Sequence, residues 1–150
     1  MNIVLVEPEI PPNTGNVARL CAATKTKLHL VEPFGFNLDD KQLKRAGMDY
    51  WEHVTWKYWE SLEQLKAQAD TVARFYYVTT KSTRPYTQPQ YRWGDYLVFG
   101  RETRGLPEAL LRANWERCLT IPMPNQRVRS LNLATSVGIV LYEALRQLGI

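Results

Sequence analysis

Five short apolar runs, Asn2 to Val6, Lys27 to Val31, Phe75 to Thr79, Asp95 to Phe99 and Cys118 to Ile121, alternate along the chain with stretches of helical periodicity. Strands joined through helices run parallel, and runs this evenly apolar need cover on both faces. The pattern therefore predicts an α/β fold, a parallel sheet with helices on both sides. A sixth, weaker run lies near His53 to Trp56. With 150 residues, 45% of them hydrophobic, the chain is expected to form one domain over 1–150 whose core needs no staple. No repeat or low-complexity linker divides it.

The first helix is expected to start at an Asn13-Thr14 cap and continue through Ala23, and a second to open with Asp39 and Asp40 and stop at Gly47. A third has Ser61 and Gln64 at capping-box spacing. The final one, from about Leu131 to Leu148, puts Ala134, Val137, Leu141, Ala144, Leu145 and Leu148 on one stripe. Leu133, Ile139, Val140 and Tyr142 fall outside that stripe. An arc so wide fits either cover by a second copy of the chain, the preferred account, or deep burial in a monomer. The aromatic residues Tyr50, Trp51, Trp56, Tyr58 and Trp59 offer either stacking surface for bases or core, and their alternation with ordinary residues favours core.

No apolar stretch approaches the ~18 residues of a membrane span, so no membrane is expected. The opening Met1-Asn2-Ile3-Val4-Leu5-Val6 enters a strand without a basic region or cleavage site, which makes the cytoplasm the expected location. Cys21 and Cys118 sit far apart in apolar settings and read as free buried thiols. His29 and His53 share no ligand spacing with them, so no metal is expected. The net charge of +4 suits a polyanion partner without requiring one. Cations group at Lys41, Lys44 and Arg45, at Lys81 and Arg84, and at Arg127 and Arg129, where solvated surface explains each group as well as RNA does.

Ligands of a parallel sheet gather outside the carboxyl ends of its strands, and three unusual loops share that position. Pro11-Pro12-Asn13-Thr14-Gly15-Asn16-Val17-Ala18-Arg19 follows the first strand and offers Arg19 as a phosphate clamp near a helix N-terminus. Its single glycine argues against a Gly-x-Gly-x-x-Gly dinucleotide site. Gly100-Arg101-Glu102-Thr103-Arg104-Gly105-Leu106-Pro107 follows the fourth main run. Its two glycines either let a flat ligand lie on bare backbone or serve a tight connection with Pro107 at the first helical position. Ile121 to Asn132 leads into the last helix, where Ser130 and Asn132 are available as caps.

Asn13-x-Gly-Asn-x-x-Arg19, Phe99-Gly-Arg-Glu-Thr-Arg-Gly-Leu-Pro107 and Ile121-Pro-Met through Arg129-Ser-Leu-Asn132 resemble, in order, the three motifs of the SPOUT class of RNA 2′-O-methyltransferases. The stretches Glu32-Pro-x-Gly-Phe36, Arg45-Ala-Gly-x-Asp-Tyr50 and Tyr142-Glu-Ala-x-Arg-Gln-Leu-Gly149 are most similar to its minimal tRNA (cytidine/uridine-34) 2′-O-methyltransferases. The resemblance implies a C-terminal deep trefoil knot, which general topology rules would reject. It implies S-adenosyl-L-methionine held mostly by backbone at Val78, Gly100, Ile121 and Ser130, and Arg19 as the catalytic residue. It further implies tRNA contacts at Lys81 and Arg129, Tyr142 near tRNA at a homodimer interface, and an active site completed across that dimer. Arg101 and Thr135 depart from the pattern, which commonly has proline and asparagine there.

The three loops hold no histidine to take a hydroxyl proton, and arginine is a reluctant base, so Arg19 is read as gripping the phosphate beside the acceptor ribose. A catalytically silent RNA-binding module is disfavoured by the intact Arg19, Gly100, Gly105, Ser130 and Asn132. Methylation of another RNA, such as ribosomal RNA, is the nearer alternative. The absence of an appended RNA-binding domain favours a small, self-shaped target such as an anticodon stem-loop.

Overall fold

Six parallel strands form one sheet in the order β3-β2-β1-β5-β4-β6, seen in a computed structural model that describes residues 1–37, 41, 45 and 48–150. The strands are β1 (Asn2–Val6), β2 (Lys27–Val31), β3 (Trp56–Trp59), β4 (Phe75–Val78), β5 (Tyr96–Phe99) and β6 (Cys118–Leu119). Between them lie α1 (Pro11–Thr24), α2 (Leu62–Gln68) and α3 (Glu108–Ala113), with α4 (Leu133–Gln147) last. Short 3₁₀ segments cover Met48–His53 and Trp115–Arg117. The helix expected from Asp39 to Gly47 lies outside the described residues, apart from Lys41 and Arg45, which are helical and exposed.

Strand alternation divides the core into two layers. Ile3, Leu5, Leu28, Leu30, Leu97 and Phe99 face α1 and α4, where they meet Val17, Cys21, Val137, Leu141 and Leu145. Val4, Val6, Val31, Val98 and Cys118 face the other way, onto Leu62 and Leu65 of α2 and Leu111 of α3. The sheet is thus covered by helices on both sides, as the evenly apolar runs demand. Cys21 and Cys118 are free and buried, and burial pushes the Cys21 thiol up to about 12.

Three local expectations shift. Helix α1 begins at Pro11 with Ile10 as its N-cap, so Asn13 and Thr14 are buried helical residues and not a cap. Pro11 and Pro12 carry no N–H, which removes two of the donors a capping side chain would satisfy. The weak sixth strand falls at Trp56–Trp59, because His53 ends a 3₁₀ segment and pairing with β2 begins at Leu28 and Trp56. On α4, Leu133 and Val140 are buried within the chain itself, since this helix packs on α1 as well as on the sheet. The apolar arc is therefore partly intramolecular, and it leaves Ile139 half-buried and Tyr142 52% exposed. The aromatic group divides likewise: Trp59 is buried and Trp51 packs on the core, while Trp56 and Tyr58 are exposed.

One polar line crosses the buried face of β1, β2 and β3. The Trp59 indole Nε1 donates to His29 Nδ1 at 3.1 Å, so Nε2 carries the imidazole proton and faces Asn2 Oδ1 at 3.0 Å. Asn2 in turn donates to the Gly94 carbonyl at 3.2 Å. Burial, reinforced by Lys27 and Lys57, lowers the His29 pKa to about 4, and the ring is neutral in the folded protein. Unfolded chains then bind the extra proton below the ordinary histidine pKa. Stability from this group is complete above about pH 6.5 and is lost as pH falls towards 4, by roughly 3 kcal/mol in all. Urea unfolding followed from pH 7 to pH 4 should show that loss, and His29→Leu should flatten it while lowering stability at pH 7.

Candidate active site

A cleft of about 270 Å³ opens at the carboxyl ends of β4, β5 and β6. Val78 ends β4, Gly100 follows β5, and Ile121 lies two residues beyond β6, so three adjacent strands deliver these residues to one wall. Lys81, Arg129 and Ser130 arrive on the loops after β4 and before α4. Six of the eight sequence-nominated residues thus line one cleft. Arg19 and Tyr142 do not: both are exposed, on α1 and α4.

Arg19 also lies farther from its helix start than the sequence suggested. It is the ninth residue of α1, more than two turns from Pro11. The helix field decays within the first turn and contributes little there. Its guanidinium lies 5.0 Å from the centre of the Tyr50 ring.

The glycine turn satisfies the structural demand on its own. Arg101 and Gly105 exchange backbone hydrogen bonds at 3.2 and 2.9 Å, and Gly105 has φ +67°. This folds Gly100 so tightly against the turn that a Cβ there would stand 2.1 Å from the Gly105 carbonyl carbon. Gly100 is therefore required by the loop itself, and the bare backbone it leaves still forms part of the cleft. Pro107 sits one position before α3 as its N-cap.

Side chains of this turn stitch it to the loop after β1. Glu102 accepts from the backbone N–H groups of Glu9, at 2.8 Å, and Ile10, at 3.2 Å. It thereby caps α1, whose own N-cap residue has no capping side chain. Glu9 answers by accepting from the Thr103 N–H and hydroxyl at 3.2 and 2.7 Å, bonds that hold its carboxyl below the usual range. Arg101, the first departure from the family pattern, pairs with Glu7 at 3.0 Å. Asn132 joins the third loop to the first by donating to Asn13 Oδ1 at 3.0 Å, and its own Oδ1 caps α4 through the Thr135 N–H. Sequence inspection missed this stitching. Its signal was the carboxylate placed between two glycines, with Glu7 and Glu9 directly after a strand.

The cleft's chemistry follows from these pairings. Glu102 is the one carboxylate in the lining, and both its oxygens are already engaged. Lys81, Arg104 and Arg129 stand at the wall with no ion pair among the described residues. Phe99, Leu106 and Leu133 add apolar surface. Such a site attracts a flat, partly apolar ligand and an anion, and among the described residues offers no free carboxylate or imidazole.

Residues 1–142 match the model of the SpoU rRNA Methylase family. The chain belongs to that family. It is 50% identical over 153 residues to a tRNA (cytidine(34)-2'-O)-methyltransferase of Saccharophagus degradans, covering 99% of this chain and 96% of that protein. It is 49% identical over 151 residues to the tRNA (cytidine(34)-2'-O)-methyltransferase of Escherichia coli K12, covering 99% and 94%. A solved structure concerned with the 2-OH methylation of C/U34 on tRNA superposes with a TM-score of 0.93 at 46% identity, over 98% of this chain and 95% of that one. This SpoU-family cleft depends on its glycine turn. Gly100→Ala should cost about 2–3 kcal/mol or more, read as a lower melting temperature. A variant within ~0.5 kcal/mol of the parent would refute the turn geometry.

Proposed function

We propose that this protein transfers a methyl group from S-adenosyl-L-methionine to the ribose 2′-oxygen of the wobble nucleotide, cytidine or uridine 34, of tRNA. The observation that carries this reading is near full-length identity of about half to relatives named for that reaction, in a chain whose second and third motif loops line one cleft, with the first loop tied to the third through Asn13 and Asn132. Ribosomal RNA is the rival substrate, and the relatives' names favour tRNA.

The donor fits the residues present. Bare backbone at Gly100, apolar Val78 and Ile121, and polar Ser130 would hold an adenosine plane and its amino-acid tail. When bound, the donor supplies an electrophilic sulfonium methyl. The chain's task is then to bring a ribose hydroxyl in line and to exclude water. With Glu102 committed to the α1 N-terminus, no lining carboxylate is free to take the hydroxyl proton. Arg19 is read as the catalytic residue, gripping the phosphate beside the acceptor ribose and steering deprotonation. Lys81 and Arg129 are read as tRNA contacts, consistent with their having no ion-pair partner among the described residues.

Arg19 and Tyr142 lie outside their own chain's cleft, on two helices that pack together. This supports a homodimer in which one copy's Arg19 serves the other's cleft, with Tyr142 at the interface beside tRNA. The C-terminal segment is read as a deep trefoil knot in a single domain. In support, Thr120 bonds with Arg84 and Tyr86 of the β4–β5 connection, while Gln147 of α4 bonds with Pro89 and Tyr91 of the same connection. No helix among the described residues is long and apolar enough to cross a membrane, and a tRNA substrate points to the cytoplasm.

The test incubates the protein with labelled donor and total tRNA from a strain lacking the gene, followed by nuclease digestion and mass spectrometry. Ribose methylation at position 34 is expected, and label confined to ribosomal RNA in a parallel reaction would overturn the substrate. Arg19→Lys should lower turnover more than about tenfold while calorimetric donor affinity stays within about twofold, because only the guanidinium fork meets a phosphate bidentately.

A further inference from the structure

We propose that Tyr50 is a positioning residue for Arg19, an aromatic seat that fixes the guanidinium over the substrate path while leaving its hydrogen-bonding edge free. The inference rests on the reading of Arg19 as catalytic. It absorbs the Arg45-Ala-Gly-x-Asp-Tyr50 stretch, which marks the family resemblance but enters none of the roles above.

Arg19 is exposed on α1 and forms no ion pair among the described residues. A long side chain so placed would sample many rotamers, and only a few would aim it at a phosphate. The usual device, a carboxylate partner, would occupy the guanidinium fork and neutralise the charge that the phosphate must meet. An aromatic face avoids both effects. Its quadrupole attracts the cation without accepting the in-plane N–H bonds, so all five donors stay available. The 5.0 Å separation between the Arg19 guanidinium carbon and the Tyr50 ring centre lies within the range where that attraction acts.

The seat is itself anchored. Tyr50 belongs to the 3₁₀ segment Met48–His53, which packs on α1. Its neighbour Trp51 lies against the main core and meets Trp56 of β3 edge-on, with ring centres 5.3 Å apart and planes at 71°. The Trp51 carbonyl accepts from the Val54 N–H at 3.4 Å, and Val54 is buried. Core packing at Trp51 and Val54 therefore fixes where the Tyr50 ring stands. The phenol oxygen has no part in this argument, only the ring.

The experiment measures single-turnover methylation of tRNA by the parent, Tyr50→Phe, Tyr50→Leu, Arg19→Ala and the Tyr50→Leu/Arg19→Ala pair, with melting temperature and donor affinity alongside. Tyr50→Phe should keep turnover within about twofold. Tyr50→Leu should lower it about threefold to fivefold with donor affinity unchanged, the upper part of the range expected for losing one cation–π contact at an exposed site. In the Arg19→Ala background the same change should cost nothing further, since a residue acting only through Arg19 has nothing left to position. Full turnover by Tyr50→Leu beside a crippled Arg19→Ala would overturn the role of Tyr50 alone. Equal losses in both backgrounds would reduce it to a structural residue and overturn the proposal. Full turnover by Arg19→Ala would overturn the catalytic reading and this inference with it. Should Tyr50→Leu fail to fold, Tyr50→Gln takes its place. Nuclear magnetic resonance of the Arg19 side chain gives a readout independent of activity: its δ-protons should lose a ring-current shift on removal of the ring, and an unchanged shift would overturn the contact.

Discussion

The pairing of Glu102 with the backbone N–H groups of Glu9 and Ile10 is the constraint on which the cleft depends. Two loops that leave adjacent strands β1 and β5 have no ladder to hold them together beyond the sheet. A carboxylate accepting two backbone donors makes charge-assisted bonds, stronger than neutral ones, across that gap. The same contact closes the open end of α1, where Pro11 and Pro12 leave few donors and Ile10 contributes no capping side chain. One side chain therefore sets both the start of the helix that carries Arg19 and the shape of the glycine turn. The reciprocal bonds from Thr103 to Glu9, and the Arg101–Glu7 pair, keep the two loops from sliding past each other.

This commitment of acidic groups to architecture shapes the chemistry. Glu7, Glu9 and Glu102 all lie near the cleft and each holds a loop contact, Glu102 through both of its oxygens. Lys81, Arg104 and Arg129 at the wall have no ion pair among the described residues. A methyl donor with a positive sulfonium would be poorly served by a free carboxylate that could itself be alkylated, and an RNA backbone would be repelled by one. Acids on the scaffold and bases towards the solvent answer both requirements.

Much of this was legible in the sequence, and the reasons differ by element. Strands β1 and β2 have the bounds that the apolar runs suggested, since buried parallel strands leave no alternative pattern. Val78, Gly100, Ile121 and Ser130 were named through the family resemblance, and their meeting at one cleft agrees with the gathering of ligands at the strand ends of a parallel sheet. The start of α1 was misjudged because Asn13 and Thr14 look like caps, whereas the proline pair upstream removes the need for one. Glu102 could be seen as unusual but not assigned, because its partners are backbone atoms with no sequence signature. Tyr50 was counted among aromatic core candidates, and only coordinates reveal that it lies against Arg19. Cover by a second copy was preferred for the wide α4 arc because a sequence stripe cannot show that Leu133 and Val140 are buried within the chain itself.

The separation of Arg19 from its own cleft bears on the proposed pairing of two copies. Donor loops cluster where the strands end, while Arg19 and Tyr142 project from helices α1 and α4 that pack together on one face of the sheet. In the proposed homodimer, two-fold pairing brings one copy's helices beside the other's strand ends. On the proposed reading, a substrate nucleotide then sits between one copy's backbone cradle and the other's guanidinium. The aromatic seat beneath Arg19 gains a second purpose there. It holds that side chain in place before the partner's cleft is filled, so the ordering cost does not fall on substrate binding.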